Sequence, residues 1–283
     1  VHSPRSRAAG ALVLIMALGT ACSAERAPHG AGSGTSKPSP AAPTAVRPPT
    51  ADAVFDYQLG GAYPPPDNVR AVSRDRTAEP APGHYNVCYV NAFQAQPEDT
   101  GSWEDDHPEL LLRDGHGDPV IDEDWDEPLL DISTSAKRAA LMEIVGPWID
   151  GCAEAGYDAV EPDNLDSYER SGGRLTAGHA AAFARLLARR AHQRHLAIAQ
   201  KNTADLLPQR GRIGFDFAVV EECTRYKECT DFAAAYANRV FVIEYRKQDF
   251  TAACRAWGKK LSLTLRDREV RPAGAKGSLR RYC

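Results

Sequence analysis

Apolar, β-prone runs recur through residues 52–283, at 54–59, 85–91, 129–132, 158–161, 196–200, 217–221, 240–245 and 261–265. Between the later runs the apolar spacing lengthens to the 3.6-residue period of a helix. Over 135–155 the stripe is Ala139, Leu141, Met142, Val145, Trp148 and Ile149. Over 177–195 it is Phe183, Leu186 and Leu187, with Thr176 as the expected N-cap. Shorter helices are expected at 231–237 and 249–257. Eight strands alternating with helices predict an α/β protein, a single (β/α)8 barrel of the TIM type. An open doubly wound sheet is the alternative, weakened because no G-x-G-x-x-G follows any strand.

The pattern upstream is of another kind. Arg5 and Arg7 precede an apolar run over 8–18, too short to span a bilayer, and small residues then lead to Cys22. Residues 1–22 therefore read as a secretion signal. The stretch Leu18-Gly19-Thr20-Ala21-Cys22 resembles a lipoprotein box in which Cys22 would be lipidated; secretion without an anchor is the alternative. Residues 23–51 are mostly Ala, Pro, Gly, Ser and Thr, too poor in large apolar groups to offset the entropy of ordering, and are expected to be a disordered linker.

Charge and cysteines narrow the function classes. Of 34 basic and 38 acidic residues, five and two lie within 1–52, leaving 29 against 36 in the body, a formal −7. That balance argues against a nucleic-acid partner and suits a neutral or cationic one. Of seven Cys, six remain once Cys22 is set aside, an even number for an oxidising compartment. Fifteen pairings are open in principle. Cys223 and Cys229 are close enough to staple one loop; Cys254 with Cys283 would tie down the tail, leaving Cys88 with Cys152. With no CxxC pair, a structural metal site is not expected.

In a barrel the C-terminal strand ends form the mouth and carry function. Those ends hold Gln58, Asn91, Asp131, the segment from Glu161 to Asp166, Lys201-Asn202, Glu221-Glu222 and Glu244-Tyr245. Glu161 and Asp163 share a face by the two-residue period, and Pro162, which lacks an N–H, is expected to help end the strand. Two neighbouring acids tend to divide into one protonated and one ionised, the division that glycoside hydrolysis needs. A hard-metal site would use the same oxygens. Acids around Lys201 favour its protonated form, against a Schiff-base role.

Other features have plainer readings. The acidic stretch 114–127 is expected to be a solvated loop, since it lacks EF-hand spacing. Trp103 and Trp125 are equally suited to stacking on sugar or to anchoring a loop. His192 and His195, among Arg189, Arg190 and Arg194, are expected on an exposed helix face. Neither G-x-S-x-G nor HExxH occurs.

Taken together, Val160-Glu161-Pro162-Asp163-Asn164-Leu165-Asp166, Gln200-Lys201-Asn202, Phe215-Asp216-Phe217-Ala218, Glu221-Glu222-Cys223, Tyr226-Lys227-Glu228-Cys229 and Ile243-Glu244-Tyr245 resemble glycoside hydrolase family 114, the endo-α-1,4-polygalactosaminidase-like proteins. The similarity runs over 55–269. It implies a secreted TIM-like barrel that hydrolyses α-1,4-linked galactosamine polymers without a cofactor. Asp163 and Glu221 would be the catalytic pair, Asp163 as nucleophile or base and Glu221 as acid. Gln58, Asp131, Lys201, Asn202, Glu244 and Tyr245 would surround them, and the strand-end reading adds Asn91, Glu161, Asn164 and Asp166 as substrate contacts. Two departures stand out. Asn91-Ala92-Phe93-Gln94-Ala95-Gln96 replaces a Gly-rich stretch, and Glu222 stands where the family usually has Gln.

The expectation is thus an exported, lipid-anchored, monomeric endo-glycosidase whose partner is a cationic amino-sugar polymer. A barrel that binds polysaccharide without cleaving it, and a hydrolase of another amino-sugar polymer, are the rivals.

Overall fold

The computed structural model describes residues 45–97 and 99–283. The expected signal segment, Cys22 and most of the expected linker lie outside the described residues. Eight parallel strands form the barrel wall: β1 (Phe55–Tyr57), β2 (Ala71–Asp75), β3 (Tyr85–Asn91), β4 (Ala159–Asp163), β5 (Ala197–Lys201), β6 (Phe217–Glu221), β7 (Val240–Glu244) and β8 (Ser262–Arg266). Each pairs in parallel with the next. β8 comes round beside β1, and an antiparallel ninth strand, β9 (Arg280–Tyr282), pairs with β8 at that seam. The barrel expectation holds; the open sheet does not.

Alternation explains the interior. Phe55, Tyr57, Val87, Phe217, Val219, Phe241 and Ile243 point inward with Ala159, Ala197 and Ala199, so large rings from one side meet small residues of β4 and β5. Phe55 stacks on Phe241 with centroids 4.2 Å apart, closing β1 onto β7 across the lumen. The opposite strand faces pack against the helices. The first long helix, α1 (Ser135–Ala155), is capped by Thr134, whose side chain accepts the Lys137 N–H, and stops at Gly156, where φ is 94°. The second, α2 (Ala177–Gln193), is capped by Thr176 as expected.

Two expectations about the wall are corrected. The run 129–132 is no barrel strand. Leu129 and Leu130 make only isolated antiparallel bridges, to Gln94 and Leu111, and their side chains are buried in the layer outside the barrel. Its place is taken by β2, whose sequence Ala-Val-Ser-Arg-Asp is too polar to stand out as an apolar run. Pro162 does not end β4, which continues to Asp163. Pairing of β4 with β5 involves only Ala159 and Val160, so Pro162 has no ladder bond to lose on that side while it registers with Val90 on the other.

Residues 46–49, assigned to the linker by composition, belong to the packed body. Val46 lies against the barrel core, Pro49 is buried, and the Tyr85 hydroxyl donates to the Arg47 carbonyl at 2.8 Å. Three disulfides join Cys88 to Cys152, Cys223 to Cys229 and Cys254 to Cys283. The first ties β3 to α1, the second closes the loop after β6, and the third holds the chain end beside β9.

Candidate active site

Three adjacent strands deliver charge to one point in the mouth. β4 supplies Glu161 and Asp163, β5 ends on Lys201, and β6 ends on Glu221. The Lys201 side chain is 2% exposed, and its Nζ lies 3.1 Å from Glu161 Oε1, 3.2 Å from Asp163 Oδ1 and 3.6 Å from Glu221 Oε2. Burial opposes its charge, but the carboxylates of Asp163, Glu221 and Glu161 more than offset that and hold its pKa well above the usual lysine range. Lys201 is therefore a fixed cation and not an amine nucleophile.

Neutral donors complete the cage. Tyr57 donates to Glu161 Oε1 at 2.8 Å and Ser73 to Oε2 at 2.9 Å, so Glu161, wholly buried, is saturated from behind. Burial raises its pKa even so, with Lys201 working against the shift. Tyr89 donates to Asp163 Oδ2 at 3.0 Å. Tyr245 donates to Glu221 Oε1, and Asn202 Nδ2 to Glu221 Oε2 at 3.3 Å. Burial first, then nearby carboxylates, push Tyr57, Tyr89 and Tyr245 well above the ordinary phenol value, so all three remain donors.

The chain leaves the three strands through residues in the left-handed region: Asn164 (φ 61°) after β4, Asn202 (44°) and Thr203 (62°) after β5, and Glu222 (53°) after β6. None is glycine, and such conformations in side-chain-bearing residues concentrate at functional sites. They turn the backbone sharply away from the mouth, leaving Asp163, Lys201 and Glu221 standing at its floor.

Above that floor lies a cleft of two lobes. The inner lobe, about 320 Å³, is lined by Tyr57, Tyr89, Asp163, Asn164, Lys201 and Glu221 among others. The outer lobe, about 560 Å³, is lined by the acids Asp166, Glu169, Asp205, Glu221, Glu222 and Glu228, with Arg268 as its one basic lining residue among the described residues. Trp125, Asp166, Asn202, Glu221, Tyr245 and Arg268 border both lobes. Glu221 thus stands where they meet.

Of the residues singled out by sequence, Asp163, Asn164, Asp166, Lys201, Asn202, Glu221 and Tyr245 meet at this cleft. Five others do not face it. Glu161 stands behind Lys201. Gln58 is on the opposite face of β1, bonded to Asp56 and Arg74; Tyr57 takes the inward place, a parity difference of one residue. Asn91 is buried beneath the wall, where its Nδ2 donates to Glu127 and its Oδ1 accepts from Asn164. Asp131, at the start of the α1 region rather than at a strand end, accepts from Ser133 and lies 3.6 Å from Lys137. Glu244 is buried, accepts the Thr224 N–H at 3.0 Å, and has its pKa raised by that burial.

The stretch 114–127 is more than a solvated loop. Its end folds into a small hairpin, Ile121–Asp122 against Glu127–Pro128, which carries Trp125 and Glu127 to the cleft. Trp125 is 53% exposed there, whereas Trp103 is buried edge-to-face against Trp148. Trp103 is thus a packing anchor, while Trp125 stands exposed at the cleft. His192, half-exposed, pairs with Asp216. Among the described residues one close grouping of metal-type ligands occurs, Cys223, Cys229 and Glu244, and its cysteines are joined to each other.

A family model described as glycoside-hydrolase family GH114 matches residues 35–283. The chain belongs to this family. The lysine-centred carboxylates at the ends of β4 and β6 are thus the mouth of a glycoside hydrolase barrel. Among solved structures, the chain is similar to Ega3 from Aspergillus fumigatus in complex with galactosamine, at 24% identity over 85% of this chain and 98% of that one, with a TM-score of 0.69. It is also similar to the glycoside hydrolase domain of PelA from Pseudomonas aeruginosa, at 15% identity over 78% of this chain and 97% of that one, with a TM-score of 0.57. These likenesses bear on the fold. No curated protein sequence matches.

Proposed function

We propose that this GH114 member is an endo-acting hydrolase of α-1,4-linked galactosamine polymers, with Asp163 and Glu221 as its carboxylate pair. The observation that carries the reading is the single ammonium, Lys201 Nζ, within 3.2 Å of one acid and 3.6 Å of the other at the junction of two cleft lobes. Asp163 Oδ1 and Glu221 Oε2 can be no farther apart than the sum of these distances, about 6.8 Å, a spacing that accommodates the ~5–5.5 Å of a retaining enzyme.

Asp163, held in place by Lys201 and Tyr89, is the nucleophile. It attacks the anomeric carbon of a sugar in the inner lobe. Glu221, facing the outer lobe, must carry a proton for this step and passes it to the departing glycosidic oxygen. It then takes a proton from the water that releases the glycosyl group from Asp163. The six acids of the outer lobe supply the match to a cationic polymer. Burial and the crowding of neighbouring acids raise the pKa of Glu169 and of Glu228, a cost that a protonated amine relieves. Three disulfides support export to an oxidising compartment, where Cys22 would anchor the enzyme to the membrane.

Product analysis by mass spectrometry tests the reading. Partially deacetylated α-1,4-galactosaminogalactan incubated with the protein should yield galactosamine-containing oligomers, and the Glu221→Gln protein should yield none. Intact polymer in both digests would overturn it, and binding without cleavage would favour a carbohydrate-binding barrel.

A further inference from the structure

Glu222, in the outer lobe, is matched by more than its own charge. Its side chain is 8% exposed, and two guanidiniums converge on it. Arg225 Nη1 lies 3.1 Å from Oε1 and Arg268 Nη2 lies 3.3 Å from Oε2. Glu222 is thus shared between two guanidiniums, and Arg268 is the positively charged side chain in the lining of an otherwise acidic lobe. Arg268 is the member that reaches the sugar path. It borders both lobes, is 60% exposed, and lies over the Tyr245 ring at 5.4 Å, the same tyrosine that donates to Glu221.

Its root is firmly set. The strap that carries it, 267–270, passes so close to β1's exit that a Cβ on Gly60 would lie 2.5 Å from the Val270 carbonyl oxygen. Val270 holds φ at 46°, an unusual conformation for a β-branched residue. Asp267 accepts the Arg271 and Leu279 N–H groups and so braces the strap from its other side. Among the described residues Arg268 has one hydrogen-bond acceptor, Glu222, so the rest of its guanidinium is open to the cleft.

From this arrangement we infer that Arg268 determines specificity on the leaving-group side: the sugar directly beyond Glu221 is N-acetylated, while its neighbours carry free amines. The inference rests on the proposed hydrolysis. An acetamido group is uncharged and presents a carbonyl oxygen that a guanidinium can donate to. A protonated amine at the same place would meet the Arg268 guanidinium, which shares the Glu222 carboxylate with Arg225. One charge within a few ångströms of another, part-screened by solvent, is enough for about a fivefold preference.

The test reads the new non-reducing ends, which are the sugars that occupied the leaving-group side. The full-length protein digests partially deacetylated α-1,4-galactosaminogalactan in H₂¹⁸O, which marks each new reducing end, and the oligomers are sequenced by tandem mass spectrometry. The wild type should raise the ratio of N-acetylated to free-amine sugars at new non-reducing ends about fivefold over that ratio in the polymer. Arg268→Gln should bring that enrichment near one, and Arg268→Lys, which keeps the charge, should retain most of it. Equal enrichment in wild type and Arg268→Gln would overturn the assignment, as would a wild type with no enrichment. Absence of any oligomer from the wild type would instead bring down the proposed hydrolysis, and the inference with it.

Discussion

Asn202 holds Glu221 from both ends. Its Oδ1 accepts the Glu221 backbone N–H at 2.8 Å, and its Nδ2 donates to Glu221 Oε2 at 3.3 Å. A side chain in the left-handed turn after β5 thus fixes both the backbone and the carboxylate of the acid on β6. Misplacing a reacting group by about 1 Å can cost about 100-fold in rate. Asn202→Ala should therefore lower kcat by about 10- to 100-fold with KM changed far less. Steady-state kinetics on the polymer would check it, and a rise in KM alone would make Asn202 a substrate contact instead.

Lys201 and Glu161 form a unit within the barrel. Removing one partner of a buried ion pair typically costs about 3–5 kcal/mol because the remaining charge is uncompensated. Lys201→Met should destabilise the protein by about that much, since three carboxylates then face one another. Adding Glu161→Gln should recover part of the loss, a coupling that a double-mutant cycle of unfolding free energies would read. Strictly additive losses would contradict it.

Trp125 is half-exposed on the hairpin tip and borders both lobes. Trp125→Ala should leave thermal stability nearly unchanged and weaken oligosaccharide binding by about 1 kcal/mol, or about fivefold, by isothermal titration. A large stability loss with unchanged affinity would instead make it a packing anchor like Trp103.

His192 gives a pH dependence of definite sign. Its Nε2 lies 2.9 Å from Asp216 Oδ2, and this bond, opposed by part-burial, raises its pKa above the ordinary 6.5. The folded state thus binds the proton more tightly than the unfolded chain does. The stabilisation is complete below the unfolded pKa and is lost as pH rises from about 6.5 through the folded value. His192→Gln should flatten the fall of Tm over that window, whereas an unchanged profile would assign the fall to other groups.

How much of this was readable in the chain depends on what each residue does. Seven of the eight wall strands announced themselves through apolar runs, and the densest acidic segment, Glu161 to Asp166, does end a central strand. β2 did not announce itself, because the residues it buries are polar. Ser73 turns inward to Glu161, and Arg74 is buried on the other face, where it donates to Gln58 Oε1 and to the Glu79 and Tyr63 carbonyls. The run at 129–132 announced a strand that is not there, since apolar burial in the outer layer leaves the same pattern as burial in a wall. In β1 the strict alternation that buries Phe55 also points Tyr57 inward, so the choice of Gln58 was off by one position. The choice between the two readings of Trp125, and the presence of Arg268 at the cleft, were out of reach for a different reason. Both residues come to the cleft on a hairpin and a strap whose paths depend on long-range contacts such as Arg170 with Asp122, 2.6 Å apart, and Gly60 under Val270.

The central claim is that Asp163 and Glu221 act as a pair, and the release of reducing ends from α-1,4-linked galactosamine polymer tests it most directly. Wild type, Asp163→Asn and Glu221→Gln would be compared at equal folded concentration. The account predicts that each amide variant loses at least about 1,000-fold, because each replaces a group that attacks or that transfers the proton. Wild-type rates from either variant would contradict it.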